Sequence, residues 1–384
     1  MNFEFSTASR IIFGTGAVSE MGQTLSGMGN RTLVVSGEST VRAKPVLDVL
    51  YDQKISFNLF SIHGEPTVDA VSTGTAIARS MKCDLVIGVG GGSVLDASKA
   101  IAILATNEGD IFDYLEVIGK GKSFENPCLP LILIPTTAGT GAEVTRNAVI
   151  GVPEQRIKVS LRSPLIQAKL ALVDPELSHS MPPPLTASTG MDALTQLIEP
   201  YVSNKATPIT DVLCLEGIAR CSRSLIKAYQ QRDDQIARED MAMASMMSGI
   251  ALANAKLGIV HGIASVIGGM FEAPHGAICA RLLPAAMAVN INALEMRGMD
   301  RQVILRYDRI AQIVCGDSSS KAEDGIRWVR QMAEALAIPP LSKYGIGRSD
   351  FPVIVEKSAV ASSTKGNPIG LSVEEINNIL EEVY

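Results

Sequence analysis

Basic charge is scarce in this chain, and no stretch concentrates it. Lys and Arg number 34 against 40 Asp and Glu, giving a formal charge of -6, and charged residues make up 19 % of the total. Without a basic patch the surface has little to hold a phosphate backbone or an anionic membrane, so neither nucleic acid nor membrane is an expected partner. The six cysteines (Cys83, Cys128, Cys214, Cys221, Cys279 and Cys315) show no CxxC spacing. Settings such as "MKCDLVI" and "AQIVCGD" read as core filling by reduced thiols, which fits the cytoplasm. Long hydrophobic runs are missing too: "LPLILIP" is far too short to cross a bilayer. The start, "MNFEFSTASRIIFG", carries Glu4 and no apolar core of signal length, so no leader is expected. Histidine is rarer still, with four in 384 residues, and two of them, His261 and His275, share the glycine-rich stretch "KLGIVHGIASVIGGMFEAPHG".

What the chain does have is length and a change of texture. Domains typically run about 100–200 residues, so two domains, or one large one, are expected. Up to about residue 175, the short apolar runs "TLVVS", "DLVIGV", "LPLILIPTT" and "LALVDP" alternate with helix-like patterns, which predicts a parallel sheet in an α/β domain. Beyond it, segments rich in Ala, Met and Leu predict an all-helical domain. The seam is "DPELSHSMPPPLTASTG", where Pro182, Pro183 and Pro184 forbid a regular element and Thr186 or Ser188 can cap the helix that follows. The expected domains are therefore 1–182 and 183–384.

Two turns offer places for a nucleotide. In "DLVIGVGGGSVLDASKAIA", Gly90, Gly91, Gly92 and Ser93 stand directly after a strand and before a helix that carries Asp96. Missing Cβ atoms let the backbone approach a phosphate, and the helix N-terminus attracts it. The pattern is not GxGxxG, and a sharp turn without a ligand is the bland alternative. The second turn, "IPTTAGTGAEVT", presents Thr136, Thr137, Thr140 and Thr145. Two such loops at the carboxyl ends of strands favour a nucleotide at a switch point, although threonines also cap turns without any ligand.

A metal site is the other candidate. "TGMDALTQLIEPYVS" sets Asp192 and Gln196 four residues apart on one helix face, where a carboxylate and an amide oxygen can meet a cation. His261 ends an apolar helical run and His275 follows Pro274 at a helix start, so the pair can converge with Asp192 as ligands. A buried histidine bonded to a carbonyl is the competing account. His63 and His179 lie where both can be solvated.

The segments "FGTGAVSEMG", "GGGSVLDASKAIA", "PTTAGTGAEVT", "LVDPELSHSMPP", "TGMDALTQLIEPYVS", the histidine stretch and "GNPIGLSVEEINNIL" occur in an order that resembles the iron-containing (group III) alcohol dehydrogenase family along essentially the whole chain. The resemblance implies a dehydroquinate synthase-like overall fold, NAD(P), and a divalent metal (Fe²⁺ or Zn²⁺) that polarises an alcohol or carbonyl during hydride transfer. It also implies a homo-oligomer, often a dimer. Metal ligands then fall on Asp192, His261 and His275. The remaining ligand, a histidine in the family, is Gln196 here, and a further histidine near the nicotinamide is Ser265.

Three outcomes stay open at that site: weaker metal binding with Gln196 or water in the fourth place, preference for another divalent ion, or a metal-independent reductase similar to the maleylacetate reductases. The first is the expectation. Ser265 can pass a proton, through water and the cofactor ribose, or simply fill space. Gly37 stands where many members resemble one another in having a ribose-binding aspartate. With Ser39 able to donate to a 2′-phosphate, the expectation leans to NADP over NAD, against Glu38 if it points inward. Lys158 falls where the family often has a lysine near the ribose, or is a solvated strand-end charge. Lys256, where similar sequences tend to have glycine, either snorkels to solvent or attracts an acidic aldehyde. A lyase resembling the dehydroquinate synthases and a nucleotide-binding protein with a decayed site are the competing functions.

Overall fold

In the computed structural model, which describes residues 2–298 and 301–384, the first part of the chain alternates strand and helix. The order is β1 (Ile11–Phe13), α1 (Met21–Thr24), β2 (Arg31–Gly37), α2 (Lys44–Asp52), β3 (Ser56–Ile62), α3 (Val68–Ser80), β4 (Leu85–Gly90), α4 (Gly92–Leu104), α5 (Ile111–Tyr114) and β5 (Leu131–Pro135). After β6 (Asn147–Val152) and β7 (Ile157–Arg162) comes β8 (Leu170–Val173). Six strands form one sheet in the order β1-β8-β5-β4-β2-β3, every neighbouring pair parallel. Leu33, Val34 and Val35 of β2 are all fully buried. Both faces of the sheet are therefore covered, which is why its central strands read as unbroken apolar runs.

Strand order decides where a ligand can sit. From β2 the chain steps outward to β3 on one side and then back to β4 on the other, so the order reverses between β2 and β4. Ser36 pairs with Val89 and Gly90 with Pro135, which aligns the carboxyl ends of β2, β4 and β5. Such a reversal opens a crevice at the strand ends. One feature departs from the all-parallel expectation: β6 and β7 form an antiparallel pair, separate from the main sheet. The two strands are only four residues apart in sequence, and Arg156, with φ at 52°, turns the chain between them.

The second part is helical: α6 (Pro183–Val202), α7 (Pro208–Gln230), α8 (Gln235–Ala255), α9 (Ile259–Met270), α10 (His275–Met296), α11 (Arg301–Cys315), α12 (Ala322–Ala335), α13 (Phe351–Val360) and α14 (Val373–Val383). α6 packs against α7, α8 and α10 and is buried along nearly its whole length. α10 is long and apolar enough to cross a bilayer, but 78 % of its apolar window is buried.

Two compact units result. One comprises Thr7–Thr137 with Gly141–Ser180; the other comprises Met181–Tyr384 with the segment up to Ser6 and with Ala138–Thr140. Ala138–Thr140 joins the helices because Gly139 lies against α6, where a Cβ on it would come within 2.7 Å of Thr189 Cβ.

Two local expectations are corrected. Pro183 and Pro184 do not exclude a helix; they form the first turn of α6 behind Pro182. A proline lacks an N–H exactly where a helix leaves that group without an internal partner, so the first turn accepts it. Thr186 and Ser188 consequently lie inside the helix, Ser188 donating back to Leu185 O. His261 likewise does not end a helix. It is the third residue of α9, which follows a 101° bend after α8.

Candidate metal centre and nucleotide cradle

Helical spacing sets the donors on shared faces. Asp192, Gln196 and Glu199 recur at intervals of four and three along α6, and His275 and Cys279 are four apart at the start of α10. His261 enters from the first turn of α9. The structure brings Asp192, His261 and His275 together and adds Cys279: one ligand atom from each of the four lies within 4.8 Å of all the others. Asp192 Oδ1 is 3.4 Å from His261 Nε2 and 3.7 Å from His275 Nε2. Cys279 Sγ is 3.7 Å from His275 Nε2. Asp192 Oδ1 and His261 Nε2 are buried and have no hydrogen-bond partner among the described residues.

A carboxylate behind the cluster sets its tautomer. Glu199 Oε2 lies 2.6 Å from His261 Nδ1, while Glu199 Oε1 accepts from the Val260 N–H at 2.7 Å. The proton is therefore assigned to Nδ1, and the Nε2 lone pair faces Asp192 and His275. Burial alone would raise the Asp192 carboxyl, but the histidines and Cys279 beside it outweigh that and hold it below its ordinary range. Burial works against charge on His261 as well, and Cys279, Glu199 and Asp192 outweigh it, so without a cation Nε2 takes up a second proton more readily than an ordinary imidazole, and a bound metal would take that proton's place.

The two positions that depart from the family pattern have partners of their own. Gln196 Nε2 donates to Gly139 O at 3.0 Å, with Ser248 Oγ at 3.5 Å. Ser265, one turn beyond His261 on α9, donates to Gly262 O at 2.9 Å. Lys256 is exposed and caps α8 with φ 62° and ψ 168°.

In the other unit, the N-terminus of α4 stands at the end of β4 with Gly91 as its cap residue and no side chain capping it. A Cβ on Gly91 would meet Thr137 at 3.4 Å, and one on Gly37, at the end of β2, would lie 3.9 Å from Val94. Gly90, Gly91, Gly92, Ser93, Thr136, Thr137 and Gly37 thus border the reversal point, whereas Thr140 belongs to the helical unit. Asp96 and Thr145 are engaged internally. The fully buried Lys99 reaches Asp96 at 3.1 Å, Thr145 Oγ1 at 2.7 Å and Asn147 O at 2.8 Å, and Asp96 also accepts from the Val149 N–H. Burial opposes both charges, raising Asp96 and lowering Lys99, and each partly restores the other. Lys158 pairs with Glu65 at 3.1 Å, and Glu38 pairs with His63 at 2.9 Å on the surface. Ser39 is exposed.

Cys279 and Glu199 escaped the sequence reading. Their only local signals were spacings, four residues after His275 and seven after Asp192, which any core residue can share.

Known proteins share this fold. Residues 8–175 match the family model for iron-containing alcohol dehydrogenase, and residues 186–384 match that for the C-terminal part of the same family. Choline dehydrogenase of Bacillus subtilis is 33 % identical over all of this chain and 94 % of its own length. NAD-dependent methanol dehydrogenase of Bacillus methanolicus is 32 % identical over 99 % of each chain. A solved 1,3-propanediol oxidoreductase superposes with a TM-score of 0.93 at 31 % identity over the full length of both. Two matched halves, full-length relatives and a shared fold leave one assignment: the chain belongs to the iron-containing alcohol dehydrogenase family and is an oxidoreductase that moves hydride between a nicotinamide and a small alcohol or aldehyde.

Proposed function

We propose that this dehydrogenase holds a divalent transition ion, Fe²⁺ or Zn²⁺, through Asp192, His261 and His275, and rests the phosphates of its dinucleotide on Gly90, Gly91, Gly92 and Ser93. The observation that carries the metal reading is the pair of orphaned atoms. Asp192 Oδ1 and His261 Nε2 are buried without a hydrogen bond, with only a long 3.4 Å approach to each other, and that costs free energy that a shared cation would offset. Oxygen and imidazole donors suit a borderline ion.

When bound, the ion acts as a Lewis acid on the alcohol or carbonyl oxygen, and the nicotinamide carries the hydride. The chain's own part is to hold and orient. Asp192 contributes a negatively charged donor, and Glu199 keeps the His261 Nε2 lone pair available. Gln196, anchored through its nitrogen at Gly139, offers its amide oxygen as a weak additional donor. Ser265, on the same face of α9 as His261, passes a proton to water. Asp96 and Thr145 act from behind the cradle by fixing Lys99, while Thr136 and Thr137 supply hydroxyl donors. Lys158 serves the ribose.

We favour NADP over NAD. Gly37 places no carboxylate against a 2′-phosphate, Ser39 can donate to one, and His63 engages Glu38. Six unpaired cysteines fit a cytoplasmic enzyme, and the resemblance to the family is what leads us to propose a homodimer.

The test is a nicotinamide absorbance assay on protein purified without chelator, with its metal content measured. The panel covers short alcohols and aldehydes, including one aldehyde with an anionic group. We expect turnover that is faster with NADP, lost on chelation and restored by Zn²⁺ or Fe²⁺. Full activity with no divalent ion would move the reading to a metal-independent reductase, and tight cofactor binding without turnover would move it to a decayed site.

A further inference from the structure

We infer that Cys279 is a metal ligand, its thiolate taking the place next to Asp192, His261 and His275 that a fourth neutral donor would otherwise hold. The inference rests on the metal reading above and sharpens it to a site with one sulfur donor.

Geometry is the first support. Metal–ligand bonds of about 2.0–2.3 Å put the edges of a coordination tetrahedron at about 3.3–3.8 Å. The separations of 3.4 Å for Asp192 to His261, 3.7 Å for Asp192 to His275 and 3.7 Å for His275 to Cys279 all fall on such edges. Helix structure explains the pairing, because His275 and Cys279 sit one turn apart at the beginning of α10 and project from the same face.

The second support is independent of the cysteine. Asp192 and His261 are both over nine-tenths buried, and each directs an unpartnered atom into the space that Cys279 borders. A cation resting on those two atoms would also lie within reach of the Cys279 sulfur. A third consideration is the alternative donor. Gln196 is neutral, and its amide oxygen is a weaker ligand than a thiolate for a borderline ion. On binding, the Cys279 S–H bond breaks as the metal–sulfur bond forms, and the proton leaves to the buffer. A thiolate among the donors turns preference away from Mg²⁺ and Mn²⁺ and towards Zn²⁺ or Co²⁺.

Cobalt titration of the chelator-stripped, full-length protein tests this, because Co²⁺ reports sulfur ligation by absorbance whether or not the enzyme turns over. Wild type should develop visible ligand-field bands together with a near-ultraviolet thiolate-to-cobalt charge-transfer band. Cys279→Ser should keep the visible bands, lose the charge-transfer band and bind Zn²⁺ at least ~10-fold more weakly. Visible bands without a charge-transfer band in wild type, or a band that survives Cys279→Ser, would overturn the role of Cys279 and leave the metal centre standing. No cobalt spectrum at all would remove the metal reading and this inference together. Should Cys279→Ser not fold, peptide-mapped alkylation of wild type decides: Zn²⁺ must slow modification of Cys279, and an unchanged rate refutes ligation.

Discussion

Glu199 holds His261 from behind: its Oε2 is 2.6 Å from His261 Nδ1, and its other oxygen accepts the Val260 N–H at the start of the same helix. One carboxylate therefore fixes both the ring's tautomer and the register of α9 against α6. Outer carboxylates of this kind typically contribute about 10–100-fold to metal affinity. We expect Glu199→Gln to weaken Zn²⁺ binding by about that factor, measured by competition with a chromophoric chelator. Affinity equal to wild type would show that the carboxylate does not set the ligand.

Gly91 separates what the fold tolerates from what a nucleotide tolerates. With φ −76° and ψ −178° its backbone is open to any residue, and a Cβ would meet Thr137 at an ordinary contact distance of 3.4 Å. Gly91→Ala should therefore fold with a nearly unchanged melting temperature. Its methyl group would stand where the phosphates approach the α4 N-terminus, so KM for the dinucleotide should rise by about 10-fold or more, a loss of about 1.4 kcal/mol. An unchanged KM would move the phosphate site elsewhere.

Lys256 carries a strained backbone. A φ of 62° with ψ 168° is a region that essentially only glycine enters freely, at a cost of about 1–3 kcal/mol for other residues. Lys256→Gly should raise stability by roughly 1 kcal/mol, after the extra chain entropy of glycine is subtracted. Urea denaturation measures this directly. If stability does not rise while turnover of an anionic aldehyde falls, the lysine has a substrate role instead of a snorkelling one.

Glu143, on the loop after β5, is almost completely buried, and burial pushes its carboxyl up to about 7. An unfolded glutamate ionises near about 4.3, so between that pH and about 7 the native state binds more protons than the unfolded state. This group's contribution to stability therefore falls as pH rises through the window, by about 4 kcal/mol in all. Relative to wild type, Glu143→Gln should gain stability on going from about pH 5 to about pH 8. Comparing denaturation midpoints of both proteins at each pH cancels the other titrating groups, and parallel profiles would contradict the assignment.

Along the chain, whatever depends on neighbours a few residues apart was legible. The buried strands β2, β4, β5 and β8 announced themselves as apolar runs, Pro274 marked the start of α10, and the glycines after β4 marked a turn into a helix. The edge strands β1 and β3 are only partly covered, so their composition carries a weaker signal. The prolines of α6 were ambiguous because the same residue breaks a helix interior and opens a first turn.

Tertiary packing decided the rest. Asp192, His261, His275 and Cys279 come from three helices, and whether their atoms meet depends on how α6, α9 and α10 are rotated and stacked. Periodicity marks which face of a helix is buried, but a sulfur that fills space and a sulfur aimed at an ion have the same periodicity. Only the packed arrangement, with two polar atoms left unpartnered beside it, distinguishes them.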